Sequence, residues 1–434
     1  MFGFTSLQIY TMIIFFGSLA LIVSEKFHRT IIALFGASLI ILLRILDQNE
    51  AISYVDFNTL GMLIGMMIIV EISRKSGLFE YLAIKMVKIS KGKPVLVFIY
   101  FSLLTGILSA LLDNVTTILL IAPITFLVTD IMKINIYPFL MAEIFASNIG
   151  GTATLIGDPP NILIGSKNAI SFNAFLFNLG PVSLVLMFVM IGLLWFKYRK
   201  TFKKIPGIEN KLASLNENTS IKDKSLLIKS ILVITLTLTL FIFHDALSLM
   251  PATVALLGAS ILMIISIKEP SEFFESIEWN TIFFFTGLFI IIGGMESSGL
   301  IQQAANYMLE ITTNPLVLVM IILWSSSILV CVISSVPFVI TMIPIIQVIT
   351  GPQNLALTKA ETMPFWWALA LGACLGANGT MFASAANLVV CSIADKYRPG
   401  MITFKKFLKE SVLITFISIV FSSFYIYFRY FYFK

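Results

Sequence analysis

Charge is unusually scarce in this sequence. Asp, Glu, Lys and Arg make up 12% of its 434 residues, against about 25% in an ordinary soluble chain. That excludes a water-soluble globular domain. Cysteine is scarcer still, with three residues. Cys331, Cys374 and Cys391 all fall in apolar segments, without metal-ligand spacing, so neither a disulfide framework nor a thiolate metal site is expected. They read as small buried hydrophobes. The two histidines, His28 and His244, lie at the ends of apolar runs with no clustered partner, so a metal site built from them is not expected. The stretch GGTATLIGDPPN lacks the Gly-Lys-Ser/Thr end of a phosphate-binding loop. No Ser/His or paired-His signature is present either, so the chain is not expected to be an enzyme or to carry a cofactor. The net charge of +6 is no sign of nucleic-acid binding, because the basic residues are placed by topology.

What the sequence has instead is apolar length. It is 58% hydrophobic with a mean hydropathy of +0.97, and runs of about 17–20 apolar residues recur throughout, the length that crosses a bilayer as a helix. The fold class expected is an all-α polytopic membrane protein with the lipid bilayer as its partner. The run from Leu7 has no basic segment before it and no small-residue cleavage site, so it reads as a first span and not as a signal peptide. Ten spans are expected, at about 7–23, 30–46, 56–72, 137–165, 178–196, 226–245, 251–267, 280–295, 364–394 and 410–432. The stretches 94–129 and 315–346 are too long for one span and have polar or proline-containing midpoints. Both read as re-entrant hairpins, tolerable only inside protein or beside a water-filled cavity.

Basic residues test this layout. With each hairpin leaving on the side it entered, segments 24–30, 73–93, 130–136, 197–229, 268–279 and 395–409 share one side and hold 24 of the 29 Lys and Arg. A single pass through either long stretch would put the nine charges of 197–229 on the wrong side. The expected location is the cell membrane, with that loop cytoplasmic and both termini outside.

The chain also repeats itself. NTLGMLIGMMIIVEISRKSGL from Asn58 matches NTIFFFTGLFIIIGGMESSGL from Asn280 at an offset of 222. ILSALLDNVTTILLIAPI from Ile107 matches ILVCVISSVPFVITMIPI from Ile328 at 221, and Gly150, Thr154 and Asn161 match Gly376, Thr380 and Asn387 at 226. The organisation expected is a first repeat over 1–200, a cytoplasmic linker over 201–225 and a second repeat over 226–434. Five spans per repeat is an odd number, so the second repeat is inverted. Inverted repeats with paired broken helices point to a secondary transporter with its site at the midplane.

The polar interruptions supply that site's chemistry. A helix broken at Gly-Gly-Thr or Asn-Gly-Thr frees N–H groups that favour anions and carbonyls that favour a small cation. Pro159 and Pro160 stop the helix re-forming. Asp113 at the first hairpin tip and Asp158 in the break each cost at least about 2.5 kcal/mol if unpaired at mid-membrane. Both are candidates to bind a cation or carry a proton, with local backbone capping as the alternative for Asp158. Glu143 is a weaker candidate, and Glu71 and Glu296 read as interfacial. Asn114, Asn161, Asn378 and Asn387 are either ligands or ties for loose backbone.

The runs SNIGGTATLIGDPPNILIGS and LDNVTTILLIAP resemble the ion transporter superfamily over essentially the whole chain. The likeness is to the branch holding arsenite/antimonite permeases, D-type sodium/proton antiporters and the melanosomal P-protein. The resemblance implies a scaffold and a mobile transport domain, often in a homodimer working by an elevator motion. Its motifs fall on Asp113, Asn114, Val115 and Thr116 with neighbouring Thr117, on Gly150, Gly151, Thr152, Thr154, Asp158 and Asn161 with neighbouring Asn148, and on Asn378, Gly379, Thr380 and Asn387. A sodium ion at Asp113, Asn114, Gly151 and Thr152 is one implication. There is one departure. Ser334 and Ser335 stand where Asp-Asn is expected, which leaves one charged site and one hydroxyl-lined site.

The function expected is secondary transport of a small inorganic ion or oxyanion, either arsenite-type efflux or sodium/proton antiport, with Na+ or H+ as coupling ion. The alternative is a sodium-coupled importer of a dicarboxylate or similar anion, against which stands the lack of a mid-span Lys or Arg. A channel would need a filter or a charged pore stripe, and neither is visible. No ATP motif is present; a separate ATPase subunit could still drive efflux, but nothing in the sequence indicates one.

Overall fold

The computed structural model describes residues 4–24, 26–202, 220–266, 269 and 271–433, and they contain helices and no strand. Most of the expected linker 201–225 lies outside the described residues. In chain order the helices are α1 Ser6–Val23, α2 Arg29–Leu42, α3 Gln48–Tyr54, α4 Phe57–Lys75, α5 Leu78–Ile89, α6 Pro94–Leu111, α7 Asn114–Met132, α8 Tyr137–Thr152, α9 Pro159–Asn168 and α10 Phe172–Tyr198. The second half holds α11 Lys224–Phe243, α12 Pro251–Ser266, α13 Ser271–Phe274, α14 Trp279–Ser297, α15 Leu300–Ile311, α16 Pro315–Ile333, α17 Ser335–Thr350, α18 Lys359–Gly376, α19 Ala385–Tyr397 and α20 Phe404–Tyr427.

Nine of the described helices are long and apolar enough to cross a membrane. Six of them are expected spans. Two further expected spans, α2 and α12, are shorter apolar helices, and the remaining two are broken, as α8–α9 and α18–α19. Helix α2 stops at Leu42 although apolar residues continue, because Arg44 turns the chain at φ 54°. The arms α6, α7 and α16 of the two hairpins are span-length helices. The breaks between arms are only Leu112–Asp113 and Ser334, and the two arms of each pair pack on one another. The sequence reading does not anticipate the amphipathic helices α5 and α15. They start from matched glycines, Gly77 at φ 85° and Gly299 at φ 80°, a conformation that favours glycine.

The packing repeats with the sequence. Helix α4 packs on α12 and α14 packs on α2. An added Cβ on Gly65 would lie 2.6 Å from the Ala255 backbone, and one on Gly287 would lie 2.6 Å from the Ala33 backbone. These are mirrored contacts, since 65 to 287 and 33 to 255 are both steps of 222. Small residues let the helices approach closely where lipid gives no hydrophobic drive. Helices α1, α2, α4, α11, α12 and α14 form one packed group. The hairpins, broken helices, α10 and α20 form another, in which α6 packs on α8 as α16 packs on α18.

The two groups meet unevenly. Helix α9 packs on α4 and α17 on α14, whereas the mirrored packings of α19 on α14 and α7 on α4 are not comparably formed. Asn58 shows the closed side. Its Nδ2 donates to Ser166 Oγ at 2.8 Å and its Oδ1 accepts from Ala252 N at 3.0 Å. Its counterpart Asn280 is exposed. The two groups are therefore joined more closely on the side of residues 47–56 and 169–171 than on the side of the cavity lined by Lys26, His28 and Arg29.

Candidate transport site

Each break is pinned by one amide. Asn161 Nδ2 donates to the carbonyls of Gly151, Thr152 and Thr154 at 3.3, 3.1 and 2.8 Å. Asn387 Nδ2 donates to those of Ala377 and Thr380 at 2.8 and 2.9 Å. Thr154 and Thr380 tie each break to its own hairpin, through the Ala110 carbonyl at 2.5 Å and the Cys331 carbonyl at 2.7 Å. Thr152 Oγ1 is bonded to the Asn148 carbonyl at 2.7 Å, so its hydroxyl closes its own helix. The structure thus sorts the amides: Asn161 and Asn387 satisfy loose backbone.

The other amides link the repeats. Asn148 Nδ2 donates to Asn378 Oδ1 at 2.8 Å and to Asn387 Oδ1 at 3.0 Å. At the mirrored place Cys374 Sγ donates to Asn161 Oδ1 at 3.5 Å. Asn114 lies 3.2 Å from Asn148 and bonds Ser109. Carbonyls of Ser147 and Gly157 lie 3.0 and 3.2 Å from the far end of the Asn114 amide, which makes that end the NH2. Asn378 Nδ2 and Thr117 Oγ1 are buried and find no partner among the described residues. An added Cβ on Gly151 would lie 2.7 Å from the Gly157 carbonyl, with the Asn114 amide also against it. Of the four expected sodium ligands, Asn114 and Gly151 therefore meet.

The two hairpin tips differ in kind. Asp113 caps α7 by accepting from Thr116 N at 2.8 Å. Asp158 is buried between Asn114 and Cys374, feels the Asp113 charge, and makes no capping bond to α9. The capping alternative for Asp158 is not what is seen. Ser334 sits at φ 78°, ψ 152° and its hydroxyl does not cap α17. That backbone conformation is costly for a residue with a side chain, and it leaves the first N–H groups of α17 uncapped. Ser335 is buried beside it.

A cavity of about 520 Å³ opens at this second tip, lined by Ser334, Pro337 and Phe382 and by Lys26, His28 and Arg29 from the start of α2. Phe382 is 45% exposed there, while its counterpart Ile156 is 3% exposed. The second break faces the cavity and the first is sealed. Arg29 and Glu278 feel each other's charge, and Glu278 also feels that of Asp113. Burial of its carboxyl, and then the Asp113 charge, hold Glu278 above the usual carboxylate range, although the residue as a whole is exposed. Lys26, His28 and Arg29 are not legible as site residues in the sequence, because they lie just before and at the first residue of α2 and reach the site only through packing. Ser109 is not legible there either. His244 is structural. Its Nε2 accepts from Phe172 N at 3.2 Å and its Nδ1 lies 3.0 Å from the Leu249 carbonyl. Glu71 pairs with Arg74 at 2.7 Å, as an interfacial residue would.

Comparison with known proteins places this geometry. Residues 19–372 match the family model CitMHS, described as a citrate transporter. An uncharacterized transporter of Mycobacterium tuberculosis H37Rv is 41% identical, covering 98% of this chain and 99% of its own length. The P protein of Sus scrofa is 29% identical over 89% of this chain and 55% of its own length. The crystal structure of the Alcanivorax borkumensis YdaH transporter, described as having an unusual topology, aligns with a TM-score of 0.60 at 14% identity. It covers 96% of this chain and 97% of its own, a likeness of fold.

Proposed function

This chain belongs to the CitMHS citrate transporter family, and from that premise we propose that it carries a carboxylate or similar oxyanion across the cell membrane by alternating access, coupled to H+ or Na+. It is a multi-pass secondary membrane transporter. The observation that carries the substrate class is the cavity at the second tip, where Lys26, His28 and Arg29 face an uncapped helix N-terminus. Where the first tip has an aspartate that satisfies its helix, the second has a serine that leaves the N–H groups free. Loss of the carboxylate turns a cation-friendly tip into an anion-friendly one. The unpartnered Asn378 Nδ2 adds a donor deeper in. The basic segments support a cytoplasmic open face.

Sodium/proton antiport is the second reading, favoured by Asp113 and Asp158, which feel each other's charge beside Asn114. The test is purified protein in liposomes holding an internal pH dye, given citrate, arsenite or sodium separately. Citrate-evoked proton or sodium-dependent flux is expected, and Arg29→Ala should raise the KM for citrate about tenfold or more, the worth of a hydrogen-bonded charge. Flux evoked by sodium alone, unchanged by Arg29→Ala, would overturn the anion reading in favour of the antiporter.

A further inference from the structure

The packed group of hairpins and broken helices holds a carboxyl that the proposed function does not use. Glu143, on α8, is 1% exposed. Thr125 of α7 bonds its Oε1, and its Oε2 has no partner. No ion pair reaches it among the described residues. It lies one helical turn from Ser147, about 6 Å along α8, and Ser147 joins the site through its carbonyl, which accepts from Ser109 at 2.7 Å. Towards the open face the hydroxyls continue one turn on at Thr129, and next to it Asp130 bonds Tyr397.

The inverted repeat is an internal control. The counterparts of Glu143, Thr125 and Thr117 are Leu369, Ile346 and Phe338 at offsets of 226, 221 and 221. All three are buried. The architecture is therefore built with apolar residues at these positions in one repeat, so it does not require a carboxyl in the other. A lone carboxyl in an apolar interior is expensive when ionised and far less so as the neutral acid.

We propose that Glu143 is a proton-binding site of the transporter, holding the coupled proton on α8 while an anion occupies the site, whose inner donor Asn378 is bonded to Asn148 of the same helix. The inference rests on the anion reading above. Glu143 takes a proton on a carboxylate oxygen and later gives it up, with no other bond changed. An ionised Glu143 and a bound anion repel in a low-dielectric interior, so anion binding favours the protonated form, and a proton on Glu143 favours the anion by the same factor. The titratable groups on the elements packed against α8 are Tyr100 on α6, Asp130 on α7, Lys197 and Tyr198 on α10, Lys359, Glu361 and Cys374 on α18, and Cys391, Asp395, Lys396 and Tyr397 on α19. Tyr137 begins α8 itself. None of them bonds Glu143, and the Thr125 hydroxyl is the one polar group acting on it.

The test compares wild type with Glu143→Gln in liposomes. Radiolabelled citrate is followed in two assays, counterflow exchange without a gradient and accumulation driven by an imposed pH gradient. The variant is expected to keep counterflow within about threefold and to lose proton-driven accumulation at least tenfold. Its citrate Kd should also lose the pH dependence that wild type shows. Equal loss in both assays would mark Glu143 as merely structural, and wild-type proton-driven accumulation in the variant would overturn the proposal outright. If Glu143→Gln does not fold, the pair Glu143→Leu with Thr125→Ile, which installs the second repeat's residues, replaces it with the same expectations. A wild type inert to citrate would sink the anion reading. Glu143 is then judged by infrared titration of the wild-type protein in lipid. A carboxylic C=O band that titrates and is missing in the variant supports a proton site, and no such band ends the idea.

Discussion

Asn161 and Asn387 show how much one side chain can hold at a membrane break. Each closes the carbonyls that a helix interruption leaves open, three for Asn161 and two for Asn387. A buried acceptor left unpaired costs about 1–3 kcal/mol. Asn161→Ala should therefore lower the melting temperature of the detergent-solubilised protein, followed by tryptophan fluorescence, and Asn387→Ala should lower it less. An unchanged melting temperature in both would mean that the breaks are held by something else. At this scale the sequence was legible in its motif residues and illegible in their division of labour. Asn161 and Asn378 are the same residue type in matching irregular stretches. Only geometry shows that the first spends its NH2 on backbone while the second leaves it free. Arg29 carried no signal at all, because a basic residue before a span reads first as a topology marker.

Helices here are set by where they can approach. Helix α8 crosses α6 at Gly150 and Gly106, and a Cβ on Gly150 would lie 2.6 Å from the Gly106 Cα, with the Gly106 carbonyl oxygen closer still. Backbone cannot yield as a flexible side chain does. Gly150→Ala should reduce transport in liposomes more than tenfold or prevent accumulation of folded protein. Gly17→Ala and Gly192→Ala, with nothing within 4 Å, should be neutral or slightly stabilising. Equal behaviour of all three would refute the close crossing. The spans, both hairpins and both breaks were readable from apolar length and its interruptions. Helices α5 and α15 were not, since twelve residues with one apolar face are too short and too mixed to stand out beside span-length runs. Their matched glycines, at 77 and 299, were inside the repeat that the sequence displays.

At the scale of the whole molecule, the repeats agree in sequence but not in contact. One mirrored pair, Asn58 with Ser166, is joined at 2.8 Å. The other, Asn280 with Ser392, is not joined, and Asn280 is exposed. On the alternating-access reading these pairs exchange roles. Cysteines at 58 and 166 should cross-link in the state described here, and cysteines at 280 and 392 should cross-link only when the other face opens. Either cross-link should stop transport, and a reducing agent should restore it. Simultaneous formation of both in one molecule, with transport intact, would contradict the exchange. The existence of two halves was plain in the sequence. Which side stands open was not, because two states of one chain share every residue.

The amide pins have a consequence for how such a protein changes over generations. Because Asn161 and Asn387, with Thr154 and Thr380, hold the interrupted backbone, the side chains at 113, 158 and 334 are relieved of that task, save for the cap that Asp113 supplies. Mutation can then redraw what the chain carries without first undoing how it folds. Ser334 shows the result: a second hairpin whose arms match the first, with a hydroxyl and a different backbone at the tip where the first carries a charge. Among descendants of one duplicated ancestor, a new cargo would need only a few substitutions at the tips, and the architecture would outlast each of them.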